Sequence, residues 1–474
     1  MTIHIHDFVA VGLGPFNLSL ACLTDGIKEL DGIFLEQKTS FNWHPGMMLE
    51  SAHLQTPFMS DLVTLAAPTH PLSFLSYIKQ QGRLYSFYIR ESFYLMRSEY
   101  NQYCQWALRQ ISNVILGTKV ISISFDEALE CYCLDTHSEQ EKKTFYAKKI
   151  ILGTGPIPYI PENCQNLVGM HIHSSEYLNH KKDLQEKQSI TVVGSGQSAA
   201  EIYHDLLQEI DTYQYDLNWV TRSPRFFPLE YSKLTLEMTS PEYVDYFYSL
   251  PSQKRDQLIS QQKHLYKGIN TDLINDIFDL LYVKRLSGSF NTHLLTNSSL
   301  VQAQDKNGQI ELNFRQEEQQ KDYQLNTESV VLATGYMQRL PDFIRPIMSR
   351  IQWDDQGRYG VNRNYTIDKK AKEIFIQNAE LHTHGFVSPD LGMACYRNSC
   401  IIRDLLGYEY YPIEKRIAFQ QFSAPVNNDL STVLSTSETM SHHAVTTGDL
   451  MQADKLCELG LKTKNVSSKE VTSN

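Results

Sequence analysis

The chain has 474 residues, of which 42% are hydrophobic and 20% charged, and its formal net charge is −11. This length favours two or three domains. Their hydrophobic cores are large enough to stabilise them without disulfide bonds or structural metal ions. The acidic balance gives no electrostatic basis for binding nucleic acid or an anionic membrane surface. No run approaches the roughly 18–20 apolar residues that span a bilayer, and the first residues lack the pattern of a signal peptide. We therefore expect a cytoplasmic protein without nucleic-acid or membrane partners.

The first motif is a glycine turn between a β-rich apolar run and a helical pattern, with the sequence Gly12-Leu-Gly14-Pro-Phe-Asn17. This order of strand, turn and helix is typical of a dinucleotide-binding fingerprint, although Asn17 replaces the third glycine. The next predicted strand ends in Glu36, and an acid at that place accepts the ribose hydroxyls of a dinucleotide. An ordinary βαβ unit with a glycine turn is the alternative interpretation.

A second motif, Gly194-Ser-Gly196-Gln-Ser-Ala199, again follows a β-branched run and opens a helix. It matches the fingerprint fully, because alanine is accepted at the third position. The next predicted strand ends in Arg222, where the first unit has an acid, and an arginine there suits the 2′-phosphate of NADPH. The charges at the ribose positions therefore predict FAD at the first site and NADPH at the second.

Two apolar strands, at residues 149–155 and 329–335, each end in Thr-Gly. They indicate that one domain is inserted in another, and that the backbone at Thr334 must approach a cofactor closely. We predict an α/β fold with two Rossmann-like dinucleotide-binding domains and a small helical substrate cap. The predicted parts are an FAD-binding domain (1–170 and 330–422), an NADPH-binding domain (171–329) with the cap at about 240–285, and a disordered tail (423–474).

Flavin and NADPH together imply hydride transfer, after which the electrons pass to a disulfide, to another redox centre or to dioxygen. The eight cysteines form no CxxC pair and have no zinc-ligand spacing. His382 and His384, with one residue between them, are a weak metal motif. We therefore predict no metal site, and dioxygen is the electron acceptor that remains.

Six short motifs resemble the lysine/ornithine N-monooxygenase family of siderophore biosynthesis, and they lie at residues 12–19, 43–49, 61–69, 193–200, 333–336 and 383–385. The resemblance covers roughly residues 5–422. Residues 226–247 and 265–275 look closest to the diamine N-hydroxylases that act on putrescine or cadaverine.

The resemblance implies FAD- and NADPH-dependent hydroxylation of one primary amine of a small diamine through a C4a-hydroperoxyflavin, for hydroxamate siderophore synthesis. It also implies a homotetramer. The implied cofactor-binding residues are Gly12, Gly14, Asn17, Glu36, Trp43, His44, Gln55, Gly194, Gly196, Gln197, Ser198, Arg222 and Thr334. Gln55 and Asn270 are the implied catalytic residues, and Asn270 would touch the nicotinamide half of NADPH. The alternatives are packing for Trp43 and Gln55, and a helix cap for Asn270.

Departures from the family pattern bear on the substrate. Hydroxylases of amino acids carry a lysine at the position of Ser60, an asparagine or aspartate at that of Leu236, and a serine at that of Gly392. Without these groups a substrate carboxylate would lose its partners, so a diamine fits better. The predicted substrate-binding residues are Ser60, Leu236, Glu237, Asn270, Asp390 and Gly392. The candidates for holding the far ammonium are Asp390, Glu237 and the tyrosines within residues 243–248.

Alternative functions stay open at this point. Within the class they are an L-lysine N6- or L-ornithine N5-monooxygenase, or a hydroxylase of another amine such as diaminopropane or histamine. Outside it they are a flavin- and NADPH-binding oxidase or redox sensor, and a scaffold of siderophore assembly. A coloured, NADPH-oxidising protein would exclude the scaffold.

Overall fold

The computed structural model describes residues 3–139, 141–288 and 290–425. The described residues from 3 to 422 form one compact unit. The disorder predicted for residues 423–474 concerns a segment that, apart from its first three residues, lies outside the described ranges. Within those ranges no helix is both long and apolar enough to cross a membrane.

The described residues up to 158 contain nine strands and four helices. In chain order they are β1 (Ile5–Val11), α1 (Pro15–Thr24), β2 (Gly32–Leu35), β3 (His53–Pro57), α2 (Phe74–Gln80), α3 (Leu84–Arg90), β4 (Tyr94–Met96), α4 (Arg97–Leu108), β5 (Val114–Ile115), β6 (Lys119–Asp126), β7 (Cys131–His137), β8 (Lys142–Leu152) and β9 (Ile157–Pro158).

The middle part begins at residue 170. Its elements are β10 (Met170–His173), α5 (Tyr177–Gln185), β11 (Ser189–Val193), α6 (Gln197–Tyr213), β12 (Asp216–Val220), α7 (Lys233–Leu236), α8 (Pro241–Ser249), α9 (Ser252–Gln261), α10 (Thr271–Ser287), β13 (Thr292–Leu295), β14 (Ser298–Lys306), β15 (Gln309–Gln316), β16 (Lys321–Thr327) and β17 (Ser329–Leu332). The last elements are β18 (Tyr336–Met337), β19 (Ile374–Ile376), α11 (Leu381–His384) and α12 (Ala394–Leu406).

A sheet of seven strands contains the first glycine turn. Its order is β5-β2-β1-β8-β7-β6, with β19 beside β8, and β1 runs parallel to β2 and β8. The run from Phe8 to Val11 is buried throughout, as expected for a parallel strand covered on both faces. Residues of α1, α4 and α12 contribute to the core on one face. The turn after β1 therefore lies at the carboxyl edge of a covered parallel sheet, where α/β proteins bind ligands.

The second glycine turn follows a sheet of five parallel strands in the order β10-β17-β11-β12-β13. Strand β17 lies between β10 and β11, so the second sheet continues to Leu332. The domain boundary predicted at residue 330 consequently falls inside a strand of this sheet. The chain rejoins the first sheet only at β19. This order supports the fold class: two Rossmann-like sheets, with the second inserted in the first.

The segment predicted as a cap is helical, as α8, α9 and α10. Two of these helices begin at side-chain caps, because the Ser240 side chain accepts a bond from Tyr243 N and the Asn270 side chain accepts one from Asp272 N. Tyr243 and Phe247 of α8 pack with Phe386 in a separate apolar cluster. The cap is thus anchored to the loop between β19 and α12, which carries Asp390.

Candidate cofactor and substrate site

The first glycine turn is shaped for a close approach. Gly12 has a φ of +88°, and a Cβ there would lie 2.6 Å from the carbonyl oxygen of Gly153. Gly14 is the N-cap residue of α1 and makes no side-chain capping bond, and the first turn of α1 holds no acidic residue. The helix therefore presents unshielded backbone N–H groups, which fit a pyrophosphate.

Asn17 stabilises this turn from inside. It is buried, and its Nδ2 donates to the Gly12 carbonyl at 2.7 Å while its Oδ1 accepts from Gln377 Nε2 at 2.9 Å. A Cβ on Gly153 would lie 2.3 Å from Asn17 Nδ2, so the asparagine fills the space beside that glycine. Asn17 thus holds the backbone of the turn, with its amide already paired.

Glu36 lies at the end of β2, as predicted. Its carboxylate accepts bonds from Leu13 N at 2.7 Å and from Lys38 N at 2.9 Å. These bonds orient the carboxylate beside the glycine turn, in the place where a ribose hydroxyl would be bound. A cavity of about 330 Å³ also opens next to this turn, at the carboxyl ends of β8 and β19, with Thr154, Gly155 and Gln377 in its wall.

Trp43 and His44 belong to an aromatic group between the two sheets. The ring of His44 is 4.8 Å from that of Trp43 and 5.8 Å from that of Tyr336, which in turn lies 5.2 Å from His173. Burial, with the nearby Arg97 cation, lowers the pKa of His44 to about 4, so this ring is neutral at neutral pH. Trp43 also packs on Tyr100 at 5.3 Å, which gives it a packing role as well.

Thr334 lies in the turn that leads from β17 back toward the first sheet. Its hydroxyl donates to the carbonyl of Tyr159. In the same turn, the carbonyl oxygen of Gly335 accepts a hydrogen bond from His173 Nε2 at 2.9 Å. The Thr334 side chain therefore links the segment after β17 to the segment after β9. Only the backbone of Thr334 remains available to a cofactor.

The second glycine turn repeats the close approach of the first. A Cβ on Gly194 would lie 2.3 Å from the carbonyl oxygen of Ala333. Gly196 is the N-cap residue of α6, without a side-chain bond, and Gln197 and Ser198 form the first turn of the helix. The N-terminus of α6 is therefore open to a second pyrophosphate.

A group of unpaired cations lies near this second turn. Burial lowers the pKa of Lys267, and the nearby cations Lys263 and Arg222 lower it further. Among the described residues no carboxylate lies within ion-pair distance of Arg222, Lys263 or Lys267. Cations that repel one another without a protein partner are the arrangement expected of a phosphate site.

Gln55, Gln197 and Asn270, predicted separately from three distant motifs, meet in one amide network. The Oε1 of Gln197 accepts from Asn270 N at 2.8 Å and from Gln55 Nε2 at 3.4 Å. Gln55 Nε2 also donates to the Gly268 carbonyl at 3.3 Å. Asn270 is at the same time the cap of α10, because its Oδ1 accepts from Asp272 N at 2.8 Å. Asn270 therefore does cap a helix, which was the alternative interpretation. Through Gln197 it also lies close to Gln55.

A buried ion pair beneath this network was missed by the sequence analysis. Arg97 donates to both carboxylate oxygens of Glu201, at 3.0 and 2.8 Å, and to the Met47 carbonyl at 2.6 Å. Gln197 Nε2 donates to the same carboxylate at 3.0 Å. A glutamate on the apolar face of the fingerprint helix was a signal that a cation was needed, but 104 residues separate the partners.

Three predicted substrate residues lie together. A Cβ on Gly392 would be 3.1 Å from Asp390 Oδ1 and 3.3 Å from Ser60 Oγ. Asp390 Oδ1 accepts from Gly392 N at 2.7 Å, and burial raises the pKa of its carboxyl group. A serine at position 392, as in hydroxylases of amino acids, would crowd both neighbours. The site therefore presents a half-buried acid, Asp390, beside Ser60 and Gly392.

Two tyrosines complete this group and were also missed. Burial, with Asp390 and Tyr94 nearby, raises the pKa of the Tyr231 hydroxyl far above its usual range. The rings of Tyr94 and Tyr231 lie edge to face at 6.4 Å. Their sequence signal was weak, because tyrosine is common in this chain, with 27 residues.

The remaining substrate predictions are not brought to this group. The side chain of Leu236 is 43% exposed on α7. The carboxylate of Glu237 accepts bonds from Phe419 N and Gln420 N, each at 3.0 Å. Tyr243 is buried and bonded to Gln262, so it belongs to the core of the cap. Of the candidates for the far ammonium, Asp390 alone lies beside both Ser60 and Gly392.

Comparisons with known proteins identify relatives of this chain. The sequence profile of the family L-lysine 6-monooxygenase/L-ornithine 5-monooxygenase matches residues 4–338. A putrescine N-hydroxylase of Shewanella oneidensis is 54% identical over 89% of this chain and 85% of its own length.

Two solved structures are also similar. A cadaverine monooxygenase of Erwinia amylovora bound to FAD, from a desferrioxamine pathway, has 56% identity and a TM-score of 0.88, covering 90% of this chain and 100% of that one. An ornithine N-hydroxylase of Kutzneria, with reduced FAD, NADP⁺ and L-ornithine, has 26% identity and a TM-score of 0.79, covering 85% and 99%.

Proposed function

Because the chain belongs to the L-lysine 6-monooxygenase/L-ornithine 5-monooxygenase family, we propose that it hydroxylates one amine nitrogen of a small aliphatic diamine, putrescine or cadaverine. The enzyme is a flavin-dependent monooxygenase that uses FAD, NADPH and dioxygen. Its product, an N-hydroxylated diamine, would be acylated to a hydroxamate for siderophore synthesis. The observation that carries the diamine proposal is the half-buried Asp390, whose carboxylate lies beside Ser60 and Gly392.

The two glycine turns fit the two cofactors. The open N-terminus of α1, with Glu36 beside it, would hold the pyrophosphate and ribose of FAD. The open N-terminus of α6 would hold the pyrophosphate of NADPH, and the cations Arg222, Lys263 and Lys267 would meet its 2′-phosphate. We assign FAD to the seven-stranded sheet and NADPH to the five-stranded one on these grounds.

Bound FAD would supply acceptance of a hydride from NADPH and activation of dioxygen, one atom of which goes to the amine nitrogen and the other to water. The protein must supply a neutral amine to that oxygen. An alkyl ammonium has a pKa near 10.4, and burial away from water favours its neutral form. The network of Gln55, Gln197 and Asn270 offers amide groups without a charge, so it can orient the reacting end without stabilising an ammonium there.

The other end of the diamine stays charged. No ion pair among the described residues includes Asp390, and a carboxylate whose pKa is raised by desolvation is stabilised by a partner of opposite charge. A substrate ammonium supplies that charge, and the rings of Tyr94 and Tyr231 can face it. The two ends of the substrate are thus held in opposite protonation states by two different surroundings.

Amino-acid substrates are disfavoured by the same residues. The α-carboxylate of L-lysine or L-ornithine would approach the like charge of Asp390, and no lysine replaces Ser60 to compensate. The Kutzneria relative, which binds L-ornithine, has only 26% identity to this chain. Diaminopropane and histamine also carry no carboxylate, but diaminopropane is one carbon shorter than putrescine, and histamine has an imidazole in place of the second alkyl ammonium.

We further propose that the protein forms a homotetramer. Two separate helices expose apolar side chains: α3 exposes Tyr85, Tyr88 and Ile89 at 74–77%, and α10 exposes Phe278, Tyr282 and Leu286 at 61–72%. A tetramer with D2 symmetry uses two distinct self-complementary contacts, and two such faces are consistent with it. Light scattering would give four times the chain mass of 54.6 kDa if the proposal holds.

We also propose that the protein is located in the cytoplasm, where NADPH is supplied.

The proposal is tested by measuring hydroxylamine formation with FAD and NADPH on putrescine, cadaverine, diaminopropane, L-lysine and L-ornithine at equal concentration. We expect turnover of putrescine or cadaverine, tightly coupled to NADPH consumption, and neither amino acid hydroxylated. Turnover of an amino acid at a comparable rate would contradict the substrate assignment. NADPH oxidation without hydroxylamine from any amine would contradict the proposed reaction itself.

A further inference from the structure

A second cluster of ligating side chains lies at the amino end of β1. His4 Nε2 is 2.8 Å from Asp31 Oδ2, and His6 Nδ1 is 3.0 Å from Asp31 Oδ1. The two imidazole rings are 4.4 Å apart. One ligand atom from each of the three side chains lies within 4.8 Å of the other two. Residues two apart in an extended segment share a face, which is why the His-Ile-His sequence brings both rings to one carboxylate.

The backbone holds this cluster in place. Asp31 immediately precedes β2, and its N–H donates to Asp7 Oδ2 at 3.0 Å, while Asp7 N donates to the Asp31 carbonyl at 2.8 Å. Lys148 pairs with Asp7 at 2.9 Å, so the charge of Asp7 already has a partner. The Asp31 carboxylate faces only the two histidines at ion-pair distance among the described residues. A net negative, partly exposed ligand group is therefore available to a cation.

We propose that His4, His6 and Asp31 form a surface binding site for a divalent transition metal, with zinc as the representative ion. Two imidazoles and one carboxylate form a ligand set that suits zinc, copper, nickel and cobalt, whereas calcium and magnesium prefer oxygen ligands alone. The side chains of His4 and Asp31 are 70% and 47% exposed, so water can complete the coordination sphere.

The site is separate from the cofactor and substrate groups. It lies at the amino end of β1, and the first glycine turn lies at the carboxyl end of the same strand. The 7 residues of β1 span about 23 Å at the usual rise of a strand. Metal binding is therefore a property independent of the proposed hydroxylation, and failure of either one leaves the other standing.

Zinc binding to the full-length, FAD-loaded protein, measured by isothermal titration calorimetry, tests the proposal. We expect one equivalent in the wild type that is lost in His4→Gln, whose side chain is mostly exposed and so dispensable for folding. His6→Gln, with the less exposed ring, should lose the same equivalent. Asp31→Asn should retain both nitrogens and weaken zinc binding at least tenfold, since a charged ligand becomes neutral.

His180→Gln is the matched control. His180 pairs with Asp183 at 3.2 Å but has no second imidazole beside it, so its loss should leave the stoichiometry unchanged. Electron paramagnetic resonance with one equivalent of Cu(II) should show coupling to two nitrogens, reduced to one in His4→Gln. No zinc binding by the wild type, or equal stoichiometry in the wild type, His4→Gln and His6→Gln, would overturn the proposal. Flavin absorbance in each variant verifies that the fold is intact.

Discussion

The two glycine turns have similar backbones and opposite charges. In each, a Cβ on the first glycine would run into a carbonyl oxygen, at 2.6 Å for Gly12 and 2.3 Å for Gly194, and each following helix begins on an uncapped glycine. Beside the first turn lies the carboxylate of Glu36, and near the second lies the cation Arg222. Backbone geometry therefore provides for a pyrophosphate in both places, while side-chain charge distinguishes the two ligands.

The largest expected effect comes from closing the first turn. Gly12→Ala places a Cβ against the Gly153 carbonyl in a left-handed backbone region, so the turn must open. We expect a protein without bound flavin and without hydroxylation, detected as loss of the flavin absorbance. Gly26→Ala is the control, because a Cβ there meets nothing within 4 Å. A yellow, active Gly12→Ala protein would contradict the assignment of FAD to this turn.

Breaking the ion pair that ties the second turn to the first part of the chain comes next. Arg97→Met leaves the buried carboxylate of Glu201 without a cation, which costs about 3–5 kcal/mol. Chemical unfolding should report this loss, and the KM for NADPH should rise because the Glu201 carboxylate, to which Gln197 donates, is no longer held by Arg97. Arg345→Gln removes an exposed pair with Asp342 and should cost less than about 1 kcal/mol. Equal losses in the two variants would show that the buried pair has no special role.

The charge difference between the turns is tested at Arg222. Arg222→Gln should raise the KM for NADPH about 10- to 100-fold, since a charged hydrogen bond contributes ~1.5–3 kcal/mol. The KM for NADH, which lacks the 2′-phosphate, should change little in steady-state kinetics. Arg225→Gln is the matched control, because Arg225 lies over the Phe227 ring at 6.0 Å. An equal rise for both nucleotides in Arg222→Gln would contradict recognition of the phosphate.

The sequence predicted those features of the two glycine turns that depend on residues close together in the chain. Strand, turn and helix follow one another within a few residues, so the sequence motifs located both turns and Glu36. Contacts between distant segments were not predictable in the same way. The pairing of Arg97 with Glu201 and the binding of residues 419–420 by Glu237 depend on which surfaces the folded chain brings together.

The same distinction explains the substrate residues. Ser60 and Asp390 lie far apart in the sequence, and family positions, rather than any local pattern, pointed to both. Leu236 and Glu237 were chosen by the same reasoning, yet α7 directs them to solvent and to the segment at 419–420. A position in a family pattern identifies a place in the chain, but packing decides what a side chain faces there.

A smaller effect is expected from pH. Burial holds the pKa of His44 at about 4, below the 6.5 of an exposed histidine, so the unfolded state binds a proton more readily. Stability should therefore fall as the pH drops from 6.5 toward 4, and His44→Gln should reduce that fall. Unfolding midpoints across this range measure it, with His137→Gln, an exposed histidine on β7, as control. Identical pH profiles for wild type and His44→Gln would contradict a buried neutral ring.

The most direct test of the central claim compares cadaverine with L-lysine in the wild type and in Asp390→Asn. The account predicts that the wild type hydroxylates cadaverine and leaves L-lysine untouched. In Asp390→Asn the kcat/KM for cadaverine should fall about 10- to 100-fold, since a hydrogen bond to a charged group contributes ~1.5–3 kcal/mol, while the flavin content and the KM for NADPH stay unchanged. Efficient L-lysine hydroxylation by the wild type, or an unchanged kcat/KM for cadaverine in Asp390→Asn, would contradict it.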